Sequence, residues 1–232
     1  MPLTGRGRLG YSLKMASLKT PLEEPALYFA ITIAPWLKAV VKPHFSGIAF
    51  ENKYQLDAVN RLARPGMRCI DVGAHAGLFL RAFEKAAPGG AHVAVEPVPW
   101  KAAMLRNKFP DAQIFQCAAS DARGQATFVE IRERSGASAL SDFAGNRRQK
   151  AGFAEYSVDV RTLDDIALDG PPTGLIKIDV EGAEGAVIMG ASKLIARDRP
   201  AILFEAGPPG KAEDSRLDIF NLLISRFEYR IT

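Results

Sequence analysis

The stretch CIDVGAHAGLF, residues 69–79, decides the fold predicted for this chain. An apolar run leads to Asp71, Gly73 and Gly77 follow, and the sequence then turns apolar again. This order is typical of a buried strand, a tight loop and the beginning of a helix, because glycine permits the backbone turn that the loop requires. In open α/β sheets, ligands bind at the carboxyl ends of the strands, where such a loop lies.

Further strands and helices alternate with this unit in the first half of the chain. Predicted strands are 67–72, 91–97 and 113–120, and predicted helices are 54–64, 78–87 and 100–109. Pro99 introduces the last of these helices, at the position where proline is favoured. The alternation predicts an α/β fold with a mostly parallel sheet flanked by helices.

The second half of the chain interrupts this alternation. Residues 125–131 and 156–163 are rich in β-branched residues and alternate in polarity, which predicts an added β-hairpin. The intervening loop 132–150 has five basic and two acidic side chains, and we expect a mobile substrate lid, with a solvated basic loop as the alternative. The elements predicted after the hairpin are strands at 174–180 and 200–206 and helices at 183–197 and 216–227.

The 232 residues suit one α/β domain with an extension better than two domains. We predict a flexible basic tail at 1–20, an N-terminal helical extension at 21–50 and the α/β domain at 51–232. The apolar segment 25–41 is short for a membrane span and contains Pro35 and Lys38, so no transmembrane span is expected. Short helices covering the sheet are favoured over a weak membrane association through this segment.

The net charge and the two cysteines indicate which partners and which cellular environment to expect. The formal net charge is +4 and the pI is about 9.1, a mildly basic balance for which nucleic-acid binding is not expected. Cys69 and Cys117 stand in apolar runs and match no metal or redox spacing. We therefore expect both to be core residues of a reduced, cytoplasmic protein.

The glycine loop and a later acidic residue predict a nucleotide-containing cofactor. Exposed N–H groups at the beginning of a helix favour binding of a carboxylate or phosphate. Glu96, at the end of the second strand, can accept hydrogen bonds from both hydroxyls of a ribose. A dinucleotide would favour G-x-G-x-x-G, whereas this chain has D-x-G-x-x-x-G. Asp71 suits the sulfonium and α-amino group of S-adenosylmethionine, so this cofactor is favoured over a nicotinamide dinucleotide. A purely structural turn is the remaining alternative.

A second cluster lies in LIKIDVEGAE, residues 175–184. Alternate residues of a strand share a face, so Lys177, Asp179 and Glu181 are predicted to point the same way. A lysine in a central parallel strand is costly unless it is paired. Lys177 could therefore have a purely structural role, in an ion pair with Asp179 or Glu181. For Asp179, at the carboxyl end of the strand, a functional role is favoured over a structural one.

With DVGAHAG, VAVEP, AASDARGQATF, IKIDVEGAE and AILFE in order, residues 50–230 resemble the FkbM family of S-adenosylmethionine-dependent methyltransferases. The resemblance implies a class I, Rossmann-like methyltransferase fold and methylation of a hydroxyl oxygen on a small-molecule, sugar or lipid acceptor. His75 departs from the family, which more often has asparagine there. A methyltransferase-like binding module without activity and, less favoured, a nicotinamide-dependent oxidoreductase are the alternatives.

The candidate site residues follow from these motifs and the resemblance. Asp179 is the first candidate for the catalytic base, with Glu181 second and Lys177 beside them, and Glu205 is assigned to substrate binding. No metal site is predicted, because no Asp/Asn partner pattern accompanies these carboxylates. The residues assigned to the cofactor are Asp71, Gly73, Ala74, His75, Gly77, Glu96 and Ser120.

The resemblance also implies a sixth strand and an antiparallel seventh strand at the end of the domain. After the helix that ends near Arg226, only EYRIT, residues 228–232, remains. We therefore expect the final strand to be missing, either because the chain is part of a longer protein or because the sheet closes differently. The edge strand 200–206 is then expected either to pair with a second copy in a homodimer or to leave the protein marginally stable.

Overall fold

The computed structural model describes residues 43–131, 139–140, 153–204 and 213–229. The chain divides into two compact units, residues 1–55 and 56–232, and of the first unit only part of one helix is described. The predicted tail 1–20 and segment 25–41 lie outside the described residues. Most of the predicted extension 21–50 and of the predicted lid 132–150 lies outside them as well.

The described elements follow the predicted order closely. The helices are α1 (Pro43–Leu62), α2 (Leu78–Ala86), α3 (Pro99–Lys108), α4 (Leu163–Ala167), α5 (Glu184–Met189), α6 (Ser192–Asp198) and α7 (Glu213–Phe227). The strands are β1 (Arg68–Val72), β2 (Val93–Val95), β3 (Gln113–Phe115), β4 (Ala118–Ala119), β5 (Gly124–Ile131), β6 (Ala139–Leu140), β7 (Phe153–Arg161), β8 (Thr173–Ile178) and β9 (Ala201–Phe204). Among the described helices, none is both long and apolar enough to cross a membrane.

Five strands form the main sheet, in the order β3-β2-β1-β8-β9, and every pairing is parallel. All five residues of β1 are buried, because helices cover both faces. Cys69 packs in a cluster with Val59 and Phe83, whereas Ile70 packs with residues such as Val187 on the other face. The predicted α/β class with a mostly parallel sheet flanked by helices is thereby confirmed.

A second sheet has the order β4-β7-β5-β6. β5 and β7 are antiparallel over eight residue pairs, as predicted for the added hairpin. Residues 139–140, from the predicted lid, form β6 and pair with β5. The single strand predicted at 113–120 was wrong: residues 113–115 pair with β2 in the main sheet, and residues 118–119 pair with β7 in the second.

Two helices differ from the prediction. The helix predicted at 183–197 is divided into α5 and α6, and a side chain at Gly190, between them, would lie 2.0 Å from the carbonyl oxygen of Ser120. In the last helix the sequence predicts an apolar face of Leu217, Phe220 and Ile224. On α7 the buried side chains include Ile219, Leu223 and Phe227 instead, and Ile224 is exposed.

The edge strand β9 is the strand at which the sequence predicts pairing in a homodimer. The described residues contain no strand after β9, and within them β9 pairs with β8 alone. Pairing of two copies at this edge stays a prediction.

The two cysteines have the environment that the sequence predicted. Cys69 and Cys117 are buried and unpaired with each other. Burial raises the pKa of the Cys69 thiol to about 12 and that of the Cys117 thiol to about 11. Both therefore stay protonated and behave as apolar core residues.

Candidate functional site

The glycine loop leaves β1 at the point where three parallel strands end together. The N–H groups of Gly73 and Ala74 both donate to the carbonyl oxygen of Val95, at the end of β2. Gly73 has a φ of +79°, and a side chain there would lie 1.9 Å from the backbone oxygen of Asp179, just after β8. The loop therefore lies against the ends of both neighbouring strands, and only glycine fits at residue 73.

Asp71 is a buried carboxylate with one oxygen that lacks a hydrogen bond. Its Oδ2 accepts from the N–H of Leu80 at 3.1 Å, whereas Oδ1 is buried and has no hydrogen-bond partner among the described residues. Burial raises the pKa of Asp71 to about 6, and the nearby Lys177 ammonium opposes this rise. A buried acceptor without a donor is costly, so Oδ1 is an atom at which a ligand could supply the missing donor.

Glu96 joins the loop to the beginning of α3. Its Oε2 accepts from the N–H of His75 at 2.8 Å, and its Oε1 accepts from the N–H of Val98 at 2.9 Å. Glu96 is buried, which raises the pKa of its carboxyl, while the Lys101 ammonium acts in the opposite direction. A carboxylate offers about four lone-pair sites, so both oxygens of Glu96 can each accept one more hydrogen bond.

His75 occupies a backbone position that explains its departure from the family pattern. Its φ is +49°, in the left-handed region where asparagine and histidine are both enriched. Burial, together with the Lys101 ammonium, lowers the pKa of His75 to about 3. The imidazole is therefore neutral near pH 7, and the backbone N–H of His75 donates the hydrogen bond to Glu96.

The second glycine of the loop serves packing. A side chain at Gly77 would lie 2.4 Å from the ring of Phe109 and 2.8 Å from Leu105, both of which are buried. Gly77 thus allows α2 to begin against α3 and its C-terminal residue. Packing between the two helices therefore explains why residue 77 is glycine, without any ligand. The predicted role of Gly77 in cofactor binding stays a prediction.

Lys177 and Asp179 form an ion pair at the end of β8. Lys177 Nζ lies 2.7 Å from Oδ2 of Asp179 and 4.5 Å from the centre of the Phe79 ring. Lys177 is buried, whereas 31% of the Asp179 side chain is exposed. Lys177 also pairs in register with Asp71 across β1 and β8, and its ammonium lowers the pKa of Asp71.

The predicted alternation of Lys177, Asp179 and Glu181 on one face was wrong in its last member. β8 ends at Ile178, and Glu181 has a φ of +57°, so the chain is no longer extended there. The structure therefore brings Lys177 and Asp179 into direct contact, and the role of Glu181 as a second candidate base stays a prediction.

Glu184 is a buried acidic residue that the sequence analysis did not select. Its Oε1 accepts from the N–H of Gly182 at 3.1 Å and from that of Val180 at 3.4 Å. It thereby closes the loop that follows Asp179. The signal was present, because Glu184 is an acidic residue in the first turn of α5, where carboxylates stabilise exposed N–H groups.

Glu184→Ala is expected to lower the free energy of unfolding by about 1–3 kcal/mol, because two backbone donors in a partly buried loop lose their acceptor. Urea denaturation measures this change. Glu84→Ala is the matched control, since the ion pair that Glu84 forms with Arg81 is partly exposed to solvent. Equal losses in the two variants would contradict the loop-closing role of Glu184.

Of the three remaining predicted site residues, the structure describes Ala74 and Ser120. Ala74 is buried in the loop, as its position suggested. Ser120 follows β4, where its N–H donates to the Arg161 carbonyl oxygen and its hydroxyl to Asp121. Glu205 lies outside the described residues. Within the described part of the chain, no group of three or more His, Cys, Asp or Glu side chains could hold a metal ion.

Comparisons with known proteins find one family model, a curated relative and a solved structure that resemble this chain. The sequence model of the methyltransferase FkbM domain matches residues 71–231. The curated 2-O-methyltransferase NoeI of Sinorhizobium fredii (strain NBRC 101917 / NGR234) is 29% identical over 162 residues, which cover 63% of this chain and 66% of NoeI. The crystal structure of Methyltransferase FkbM from Methylobacillus flagellatus KT matches with 18% identity and a TM-score of 0.49, covering 73% of this chain and 44% of that one. The chain thus spans just under two thirds of NoeI and less than half of the solved chain.

Proposed function

Because the chain belongs to the FkbM methyltransferase family, we propose that it transfers a methyl group from S-adenosylmethionine to a hydroxyl oxygen of a small-molecule, sugar or lipid acceptor. The observation that carries the proposal is the position of Asp71, Glu96 and Asp179. They stand at or just past the carboxyl ends of β1, β2 and β8, which are neighbours in one parallel sheet. Ligands of open α/β sheets bind at this edge.

The residues present fit S-adenosylmethionine on two observations. Asp71 Oδ1 is a buried acceptor without a donor among the described residues, and the cofactor carries an α-amino group and a positive sulfur. Glu96 retains acceptor capacity on both oxygens after it has bound His75 and Val98, which suits the two ribose hydroxyls. We therefore assign Asp71 to the amino-acid end of the cofactor and Glu96 to the ribose.

Methyl transfer requires an aligned acceptor oxygen and a group that takes its proton. When bound, S-adenosylmethionine supplies the electrophilic methyl group. Asp179 is the candidate for the proton acceptor, because it follows β8 directly and part of its side chain is exposed. Lys177 occupies Oδ2, which holds the carboxylate in one orientation and leaves Oδ1 to accept the proton. Alignment supplies most of the rate enhancement in such a reaction.

The relative's name supports an oxygen acceptor. NoeI is described as a 2-O-methyltransferase, and the chain is 29% identical to it in the matched region. The acceptor class is tested by incubating the protein with S-adenosylmethionine and a panel of hydroxylated sugars, lipids and small molecules, and by measuring S-adenosylhomocysteine. Cofactor binding without product on a panel that includes all three classes would favour a binding module without activity.

The cofactor is tested separately by calorimetry with S-adenosylmethionine and with NAD. We expect binding of S-adenosylmethionine and of S-adenosylhomocysteine, because both ligands carry the amino-acid end assigned to Asp71 and the ribose assigned to Glu96. Binding of NAD alone would overturn the proposal and favour the oxidoreductase alternative.

Glu96→Ala is expected to weaken S-adenosylmethionine binding by about 1.5–3 kcal/mol, the range for losing hydrogen bonds to a charged group. Calorimetry measures the affinity. Glu96→Gln is the second variant, because the amide keeps one acceptor for the N–H of His75 or Val98 and disturbs the loop less. Unchanged affinity in both variants would refute the assignment of Glu96 to the ribose.

A further inference from the structure

Lys108, the last residue of α3, reaches the glycine loop. Its Nζ donates to the carbonyl oxygen of Ala76 at 3.0 Å, although the two residues are 32 positions apart in sequence. Lys108 is half-buried, and the sequence analysis selected neither of the two residues. Their contact adds a hydrogen bond to the packing that already joins α3 to the loop at Gly77.

The hydrogen bond from Lys108 fixes one peptide group at both of its ends. The carbonyl oxygen of Ala76 accepts from Lys108. The N–H of the same peptide group, which belongs to Gly77, donates to the carbonyl oxygen of Ala74 at 2.7 Å. A peptide group is planar, so holding its oxygen and its nitrogen fixes the orientation of the whole group. The residues on either side of Ala76, His75 and Gly77, have left-handed φ values of +49° and +79°, so this group lies in the middle of the turn into α2.

The ring of Phe109 gives the Lys108 ammonium a second contact. Nζ lies 5.5 Å from the centre of this ring, which is buried. An ammonium within about 6 Å of the centre of an aromatic ring is attracted to the ring face. The guanidinium of Arg81, on α2, lies 5.1 Å from the centre of the same ring. The ring therefore attracts a cation from each of the two helices and limits the positions that the Lys108 side chain can adopt.

The peptide group between residues 76 and 77 separates two contacts of the candidate cofactor site. Before it, the N–H of His75 donates to Glu96 at 2.8 Å, and after it the N–H of Leu80 donates to Asp71 at 3.1 Å. A rotation of this group would displace both donors, because each is joined to it through a short stretch of chain. The Lys108 hydrogen bond therefore affects the surroundings of both carboxylates assigned to the cofactor.

Ordering the loop before a ligand arrives explains this contact better than stability does. A lysine side chain loses much of its rotamer freedom when it is held, and a single half-buried hydrogen bond gives only a modest net gain in stability. A loop that is already ordered, in contrast, binds its ligand more tightly, because the binding free energy is not spent on ordering it.

We propose that Lys108 is a positioning residue for cofactor binding, which holds the peptide group between Ala76 and Gly77 and thereby keeps the glycine loop in its binding conformation. Lys108 acts through the loop and not by touching the cofactor. This inference rests on the proposed binding of S-adenosylmethionine. It extends the support of the cofactor site from the loop to the last turn of α3.

The first test compares the affinity for S-adenosylmethionine by calorimetry, well below the unfolding temperature of each variant. Lys108→Met keeps the apolar stem but removes the donor, and we expect about tenfold weaker binding. Lys108→Arg keeps a cationic donor and is expected to restore most of the affinity. Lys85→Met is the matched control, because Lys85 is exposed on α2, and it is expected to bind like the wild type. Unchanged affinity in Lys108→Met would overturn the proposal.

Amide hydrogen exchange in the protein without cofactor reports on the loop directly. In Lys108→Met the N–H of Gly77 is expected to exchange about tenfold faster than in the wild type, because its peptide group loses one of two anchors. The N–H of Ala87, at the other end of α2, donates to the carbonyl oxygen of Phe83 at 2.7 Å and is expected to keep its rate. Equal acceleration at Gly77 and Ala87 would indicate a general loss of stability and would contradict the positioning role.

The two measurements together separate this inference from the proposed function. Weaker binding in Lys108→Met with unchanged exchange at Gly77 would mean that Lys108 acts on the cofactor directly, and the inference would be wrong. If the wild type does not bind S-adenosylmethionine, the proposed function is wrong, whereas the exchange result still decides whether Lys108 holds the loop.

Discussion

Gly73→Ala is expected to lower the free energy of unfolding by about 2–5 kcal/mol and to abolish cofactor binding. The left-handed backbone costs a residue with a side chain about 1–2 kcal/mol, and overpacking adds about 1–3 kcal/mol. Gly73 has a φ of +79°, and the new methyl group would lie 1.9 Å from the Asp179 carbonyl oxygen. Because a backbone oxygen cannot rotate away as a flexible side chain can, the loop and the end of β8 must separate.

Gly89→Ala is the matched control for this prediction. Gly89 has nearly the same φ, +78°, but a side chain there meets no atom within 4 Å. It therefore isolates the cost of the left-handed backbone, about 1–2 kcal/mol. Urea denaturation and calorimetry with S-adenosylmethionine measure stability and binding in both variants. If both variants lose the same stability and Gly73→Ala still binds the cofactor, the close contact between the loop and Asp179 is not needed for stability or for binding.

Asp179→Asn is expected to reduce turnover by about 10²–10⁴-fold, the usual contribution of a general base. The amide nearly matches the carboxylate in shape, but it cannot take the proton from the hydroxyl group that is methylated. Cofactor affinity is expected to stay close to that of the wild type, because Asp71 and Glu96 are unchanged. The measurement is S-adenosylhomocysteine formation on a hydroxylated acceptor found in the panel, with binding followed by calorimetry.

Glu181→Gln tests the competing assignment with a change of the same kind. Glu181 lies two residues beyond Asp179, in a left-handed conformation and past the end of β8. If Asp179 is the base, Glu181→Gln keeps most of the turnover. A larger loss in Glu181→Gln than in Asp179→Asn would transfer the role to Glu181, and wild-type turnover in Asp179→Asn would exclude Asp179.

Much of the main sheet could be predicted because its signals are local. In β1 and α2, the apolar run, the glycines and the helical spacing lie within 20 residues of one another, and the structure has both elements within a residue or so of the predicted bounds. The hairpin of β5 and β7 was also predictable, since alternation with period two marks a strand whose faces differ. The positions of Asp71 and Glu96 at strand ends followed from the same local patterns.

Other features depend on contacts between distant parts of the chain. At Gly190, between α5 and α6, the carbonyl oxygen of Ser120 lies where a side chain would be, although Ser120 is 70 residues away in sequence. The division of 113–120 reflects two competing partners, β2 for its first part and β7 for its second. A periodicity within one window carries no information about either contact.

The sequence by itself determined the parallel sheet, the glycine loop and the carboxylates that end its strands, because hydrophobic spacing and glycine act over a few residues. Only the tertiary structure decided which charges meet. It paired Lys177 with Asp179 and Lys101 with Glu130, and it left Asp71 Oδ1 without a donor among the described residues. The physical reason is that the energy of a charge depends on burial and on partners a few ångströms away, which the folded chain brings from separate elements.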